Sequence, residues 1–234
     1  MRRALLLDAY PELAAGLDPE VAERARREVV VEVEMLEPGP WWPERAQPEA
    51  GSLGLMMLDG IMIRELSVAG ARSLELLNRG DVLRPWQEDS ASFCEASWRC
   101  LTRVTIATLG PRAAATICRF PPLASAIVEL AMCRSRSLAV HAAIESIVGL
   151  ERRLILLLWH FAEHWGRRTP AGVEVPIELT HEMLGQLVGA RRPSVTAALS
   201  GLEREGRIRR RDGGGWILRG DPPGLDLEQH SAAA

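Results

Sequence analysis

From Leu123 to Val148 the sequence runs for about 26 residues with neither Gly nor Pro, and Ala is frequent. It opens after Pro121-Pro122 and is interrupted at Gly149. A stretch of that kind predicts a single helix of roughly 39 Å at about 1.5 Å rise per residue. Its position limits the architecture, because it separates a half with strand patterning from a half with helix patterning. Ile127, Leu130, Arg134, Leu138, His141, Glu145 and Val148 fall on a three-four spacing. The stripe is narrow and only partly apolar. Such a seam fits packing on a partner helix better than burial inside its own domain.

Before this helix the apolar runs are short. Residues 19–28 read as a helix with Asp18 as N-cap and Pro19 in the first position. Val29 to Met35 alternates, with Val29, Val31, Val33 and Met35 on one face and Glu32 and Glu34 on the other. That is the period of a half-buried strand. Further short strands are expected at Leu53–Leu58, Ile61–Leu66, Ser73–Leu77, Trp98–Ile106 and Ala113–Ile117. Turn clusters such as Asp59-Gly60 and Asn78-Arg79-Gly80-Asp81 separate most of them. The spacing suggests a sandwich or small barrel.

Composition removes several function classes. The 28 basic residues are all Arg, so no lysine can form a Schiff base or serve a Walker-type phosphate loop. The longest wholly aliphatic and aromatic run, Leu154 to Trp159, is far shorter than a membrane span of roughly 20 residues. Asp8 and Pro11 break the apolar N-terminal stretch, so no export signal is read there. Cys94, Cys100, Cys118 and Cys133 are irregularly spaced, with no zinc pattern. The expectation is a reduced, cytoplasmic protein with structural thiols. The net charge of −3 conceals a partition: residues 1–150 carry 16 Arg against 20 acids, and residues 151–220 carry 12 Arg against 8. The segment 221–234 has three acids and no Arg, and reads as a disordered tail.

The basic segment holds the most specific pattern. Leu150 to Trp165 predicts a helix ending at Gly166, and Val173, Val175 and Ile177 a short strand around Pro176. Thr180 can cap a helix through Leu187, Gly189 suits a tight helix–helix turn, and a second helix spans Arg192 to about Glu205. Leu184, Leu187 and Val188 can meet Val195, Leu199 and Leu202. The opposite face, with Arg192, Ser194, Thr196, Ala197 and Ser200, is small or polar and fits a DNA major groove. Two strands, Arg207–Arg211 and Trp216–Leu218, then form a basic hairpin wing suited to phosphate contacts.

The stretch from Leu179-Thr180 through Leu184-Gly185-Gln186-Leu187-Val188-Gly189-Ala190-Arg191-Arg192-Pro193-Ser194-Val195-Thr196 to Leu202-Glu203 closely resembles the winged helix-turn-helix of the cyclic-AMP receptor protein / fumarate-nitrate regulator (Crp/Fnr) superfamily. The resemblance is specific in the last 60 residues and extends in element order over most of the chain. It implies an α+β fold: an N-terminal β-roll resembling cyclic-nucleotide-binding domains over 1–120, a dimerisation helix over 121–148, a winged domain over 149–220 and the tail over 221–234. It implies a bacterial, homodimeric, sequence-specific transcription regulator rather than an enzyme, with double-stranded DNA as partner, no membrane, and RNA polymerase as a further partner. Arg192 matches the family's guanine-reading arginine, with Thr196, Ala197 and Ser200 on the same base-facing side. Pro193 and Ala197 replace two further base-reading positions and cannot hydrogen-bond a base edge through a side chain. Thr180, His181, Arg191, Ser194, Arg209, Arg210 and Arg211 are expected at phosphates. Ile127, Leu130, Arg134, Leu138, His141 and Glu145 are expected in the dimer interface. The rival reading is a dimeric interaction protein whose winged domain binds a protein.

The family's cyclic-nucleotide signature, a Gly-Glu pair with a downstream Arg-(Ser/Thr)-Ala, is missing. The equivalent region, Gly80-Asp81-Val82-Leu83-Arg84-Pro85-Trp86-Gln87, has no Glu, and Arg103-Val104-Thr105 is a poor substitute. No cofactor is predicted, and an unidentified small-molecule effector stays open. Trp41-Trp42-Pro43 and Arg84-Pro85-Trp86 read as core aromatics, with an effector pocket as the alternative. His160-Phe161-Ala162-Glu163-His164 matches the H-x-x-E-H zinc-protease spacing. Its two histidines share a helix face, but the only later Glu beyond the winged segment is Glu228, so a solvated helix face without metal is the expectation.

Overall fold

The computed structural model describes residues 1–43, 49–86 and 93–224; Glu228, Gln87 and most of the expected tail lie outside them. The chain forms two compact units that divide after Ser137.

Unit 1 opens with strand β1 (Arg2–Leu5), the short helix α1 (Leu6–Ala9) and a 3₁₀ turn over Pro11–Ala14. Helix α2 (Pro19–Glu28) follows, and Asp18 caps it by accepting from the Glu20 and Val21 amides. The strands are β2 (Val30–Leu36), β3 (Gly39–Trp41), β4 (Gly54–Asp59), β5 (Met62–Val68), β6 (Ala71–Leu77), β7 (Val82–Leu83), β8 (Cys94–Cys100) and β9 (Val104–Leu109). Helix α3 (Pro111–Cys118) and the long helix α4 (Pro121–Glu145) come next, and the division between units falls within α4. The strands pair antiparallel in two sheets, ordered β1-β2-β9-β4-β7 and β3-β8-β5-β6.

β4 shows how the sequence builds this unit. Its run of consecutive apolar residues is buried on both faces, as such runs require. Leu55 and Met57 join Met62, Leu77, Trp98 and Ile106 in one core, drawn from both sheets. Met56 and Leu58 point the other way and meet Leu6, Leu13, Ile117, Phe120, Leu123 and Ile127 from the flanking turn and helices.

Several expectations change here. Ala113–Ile117 is helical, because Gly110 and Pro111 supply a helix start and Ala favours its continuation. Trp98–Ile106 is two strands broken at 101–103. Met35 is 61% exposed, whereas Val29, Val31 and Val33 are buried. The long helix begins at Pro121 and stops at Glu145, with 146–148 in a turn. Cys100 alone of the four thiols is buried, and burial pushes it up to about 11. No single helix among the described residues is long and apolar enough to cross a membrane.

Unit 2 contains α5 (Leu150–Trp165), β10 (Arg167–Thr169), β11 (Gly172–Val175), α6 (His181–Val188), α7 (Arg192–Arg204), β12 (Ile208–Arg210) and β13 (Trp216–Leu218). The strands form one antiparallel sheet ordered β10-β11-β13-β12, and α5 packs on α6, α7 and β11. Ile177 lies past the end of β11 but is buried.

Candidate nucleic-acid interface

The Thr180 hydroxyl accepts from the Met183 amide at 3.1 Å and so starts α6. Gly189 ends it in the left-handed conformation, at φ +62° and ψ 44°. The turn is tight: a Cβ on Gly185 would lie 2.5 Å from the Ala190 carbonyl oxygen. Leu184, Leu187 and Val188 are buried, as are Val195, Leu199 and Leu202 across the turn. That burial leaves Arg192, Pro193, Ser194, Thr196, Ala197 and Ser200 exposed on the outer face of α7.

Charge is distributed unevenly over this surface. Arg191, Arg192 and Arg209 are exposed and make no ion pair with any described residue. Arg211 is held instead, with Nε 3.4 Å from Glu174 Oε2 and Nη1 donating to the Gly214 carbonyl at 3.4 Å. Arg210 packs its guanidinium 5.6 Å from the centroid of the buried Trp216 ring. These three wing arginines, with Glu174, Asp212, Gly213 and Ile217, line a shallow hollow of about 250 Å³.

A polar chain links wing and helices within this unit. Arg210 Nη1 donates to His181 Nε2 at 3.3 Å, and His181 Nδ1 lies 2.8 Å from Thr196 Oγ1. Thr196 Oγ1 donates in turn to the Arg192 carbonyl at 3.0 Å. The donor pattern requires a neutral His181 carrying its proton on Nδ1. Burial, with Arg210 and Arg192 beside it, holds the imidazole below its ordinary value. The sequence placed Thr180, His181, Thr196, Arg210 and Arg211 at DNA. The structure commits their polar groups, wholly or partly, to one another and to the fold. No local pattern marks this link, because its residues come from α6, α7 and β12.

Most residues of the expected dimer stripe have partners within their own unit. Ile127, 6% exposed, sits in the helix-side core of unit 1, and Leu130 packs against that core. Arg134 pairs with Glu75 at 2.8 Å, and Glu75 takes Arg64 at 2.5 Å. In unit 2, His141 Nε2 donates to the Leu187 carbonyl at 2.7 Å, with Glu145 3.9 Å away. Leu138, on the same stripe, is 37% exposed. Exposed on α4 are, among others, Val128, Ala131, Met132 and Ser135 in unit 1 and Leu138, Ala139, Val140 and Ala142 in unit 2.

Trp41 and Trp98 meet edge to face at 5.8 Å, and with Trp42 they line a cleft of about 330 Å³ in unit 1. The Asp81 carboxylate accepts from the Asn78 amide at 2.7 Å, and Arg103 pairs with Glu37.

Residues 152–227 match the family described as the Crp-like helix-turn-helix domain. The C-terminal unit carries a Crp-like helix-turn-helix domain. Solved structures extend the likeness to the whole fold. A CooA variant from Carboxydothermus hydrogenoformans aligns at 16% identity and TM-score 0.63, over 92% of this chain and 91% of that one. The CRP-family regulator TTHB099 of Thermus thermophilus gives 18% and 0.58, over 79% and 91%. The c-di-GMP-responsive regulator CLP of Xanthomonas campestris gives 14% and 0.57, over 87% and 100%. The chain thus shares the fold of these three structures. No curated protein matches it by sequence.

Proposed function

We propose that this chain is a cytoplasmic, homodimeric, sequence-specific DNA-binding transcription regulator. The observation that carries the reading is the outer face of α7 in a Crp-like domain, with Arg191, Arg192 and, on the wing, Arg209 free of ion pairs among the described residues. An exposed guanidinium without a carboxylate keeps its full capacity for phosphate or for a guanine edge. Arg192 reads a base, with Ala197 and Ser200 shaping the same face. Arg191, Ser194 and Arg209 take phosphates. His181, Thr196 and Arg210 position the wing against α7. Two such domains read half-sites about 34 Å apart in a pseudo-palindrome.

The dimer seam in this reading is the exposed face of α4, with Val128 and Met132 in place of the inward-turned Ile127 and Leu130. Its small residues let two helices approach closely, and Val128 and Met132 supply apolar area. A small-molecule effector belongs in the aromatic cleft of Trp41, Trp42 and Trp98. The Asp81 and Arg103 positions already serve local contacts that do not build a cyclic-phosphate site.

Binding of the purified protein to genomic fragments over a salt series tests the function. Log K should fall linearly with log salt, by about 0.9 per phosphate neutralised. A flat response, with binding to a protein instead, favours the interaction-protein reading. Sedimentation of Met132→Glu tests the seam: the dimer should dissociate, whereas a persistent dimer excludes this face.

A further inference from the structure

The last two turns of α5 carry a feature that DNA binding does not use. His160, Glu163 and His164 each offer a ligand atom, and the three atoms lie within 4.8 Å of one another. We propose that they form a binding site for one divalent transition-metal ion of the zinc type, with a fourth position open to water.

The helix makes the geometry. Positions i, i+3 and i+4 share one face, so the two imidazoles and the carboxylate converge without any loop. In the structure His160 Nδ1 is 3.5 Å from Glu163 Oε2, and the two rings are 5.4 Å apart in an edge-on arrangement. Tetrahedral ligation at about 2.0–2.2 Å separates ligand atoms by roughly 3.4 Å. Closing from the observed spread therefore needs about an ångström of movement. Glu163 and His164, both exposed, can supply it by side-chain rotation.

Three further features favour a cation. His164 Nδ1 lies 3.3 Å from the His160 carbonyl. An imidazole nitrogen can only donate to a carbonyl, so this contact puts the proton on Nδ1 and leaves the Nε2 lone pair for a metal. The site sits in the last turns of a 16-residue helix that ends at Trp165, where the helix dipole is negative. His160 has a side chain only 9% exposed, which fixes one ligand in place, while Glu163 and His164 lie on the solvated side of the helix. The third ligand sought far downstream at Glu228 is not needed, because Glu163 stands between the two histidines. Two imidazoles with one carboxylate select a borderline ion over Mg2+ or Ca2+. With Glu163 as a ligand, the motif has no carboxylate left to act as the general base of a protease. α5 is the helix on which α6 and α7 pack, so the ion would brace the support of the DNA-reading helix.

The test uses the untagged full chain, stripped with a chelator and titrated calorimetrically with Zn2+. One equivalent per chain is expected, unaffected by excess Mg2+, with a raised Tm. His164→Ala and Glu163→Gln alter exposed side chains. Each should keep the metal-free Tm and circular dichroism spectrum while weakening Zn2+ binding by more than about tenfold. Absent or superstoichiometric weak binding by the wild type, displacement by Mg2+, or unchanged affinity in both variants would overturn the proposal.

Discussion

In unit 1, Arg64 and Arg134 converge on Glu75 at 2.5 and 2.8 Å, and all three side chains are largely buried. Arg79 stacks 4.4 Å over Tyr10 and reaches Glu12 at 2.8 Å. In unit 2, Arg191, Arg192 and Arg209 lie exposed with no ion pair to a described residue. The side chain is the same, and its surroundings decide its work. A guanidinium against a buried carboxylate is a structural strut; one on an unpaired helix face is available to phosphate and bases. A chain whose cationic side chains are otherwise only Arg must use that residue for both. This is why the net charge of −3 says little about its partner.

The difference can be broken most forcefully at Glu75. Glu75→Leu strands two buried guanidinium groups and should cost about 3–5 kcal/mol of stability, read from urea denaturation of the full chain. A loss below about 1 kcal/mol would mean that the Arg64–Glu75–Arg134 cluster is not the strut its burial implies. Arg192→Ala should leave stability intact and remove about 1–3 kcal/mol of discrimination at one base pair, measured by competition among operator variants. Arg209→Ala is expected to weaken all sequences alike and reduce the salt slope by about 1. If the two variants lose affinity in the same pattern, the division between reading and anchoring fails.

The smallest effect concerns His181. Its folded-state value lies below the ordinary 6.5, first through burial and then through Arg210 and Arg192. The neutral ring therefore contributes fully above about pH 6.5, and that contribution is lost as pH falls through the lowered folded value. Protonation also removes the acceptor that Arg210 uses at 3.3 Å. The stability advantage of wild type over His181→Gln should shrink between pH 7 and pH 5. An advantage that grows on acidification would show that the ring is charged in the folded state.

Local signals carried much of unit 2. Thr180, Gly189 and Gly166 mark helix ends by caps and conformational needs that act within a few residues, so α5, α6 and α7 fall within a residue of their expected limits. The outward face of α7 was equally legible, because helical periodicity and the apolar partners on α6 together fix which side is buried. The Asp18 cap and the alternation of Val29, Val31 and Val33 were legible for the same reason.

The sequence by itself determined the helices of unit 2, the split of charge and the Crp-like segment, because periodicity, caps and turn chemistry are written in consecutive residues. Tertiary structure decided what each surface faces. It turned Ile127, Leu130 and Arg134 inward, bound Arg211 to Glu174, and tied His181 to Thr196 and Arg210. These contacts join residues far apart in the chain. Their partners are set by packing of whole sheets and helices, which no local pattern encodes.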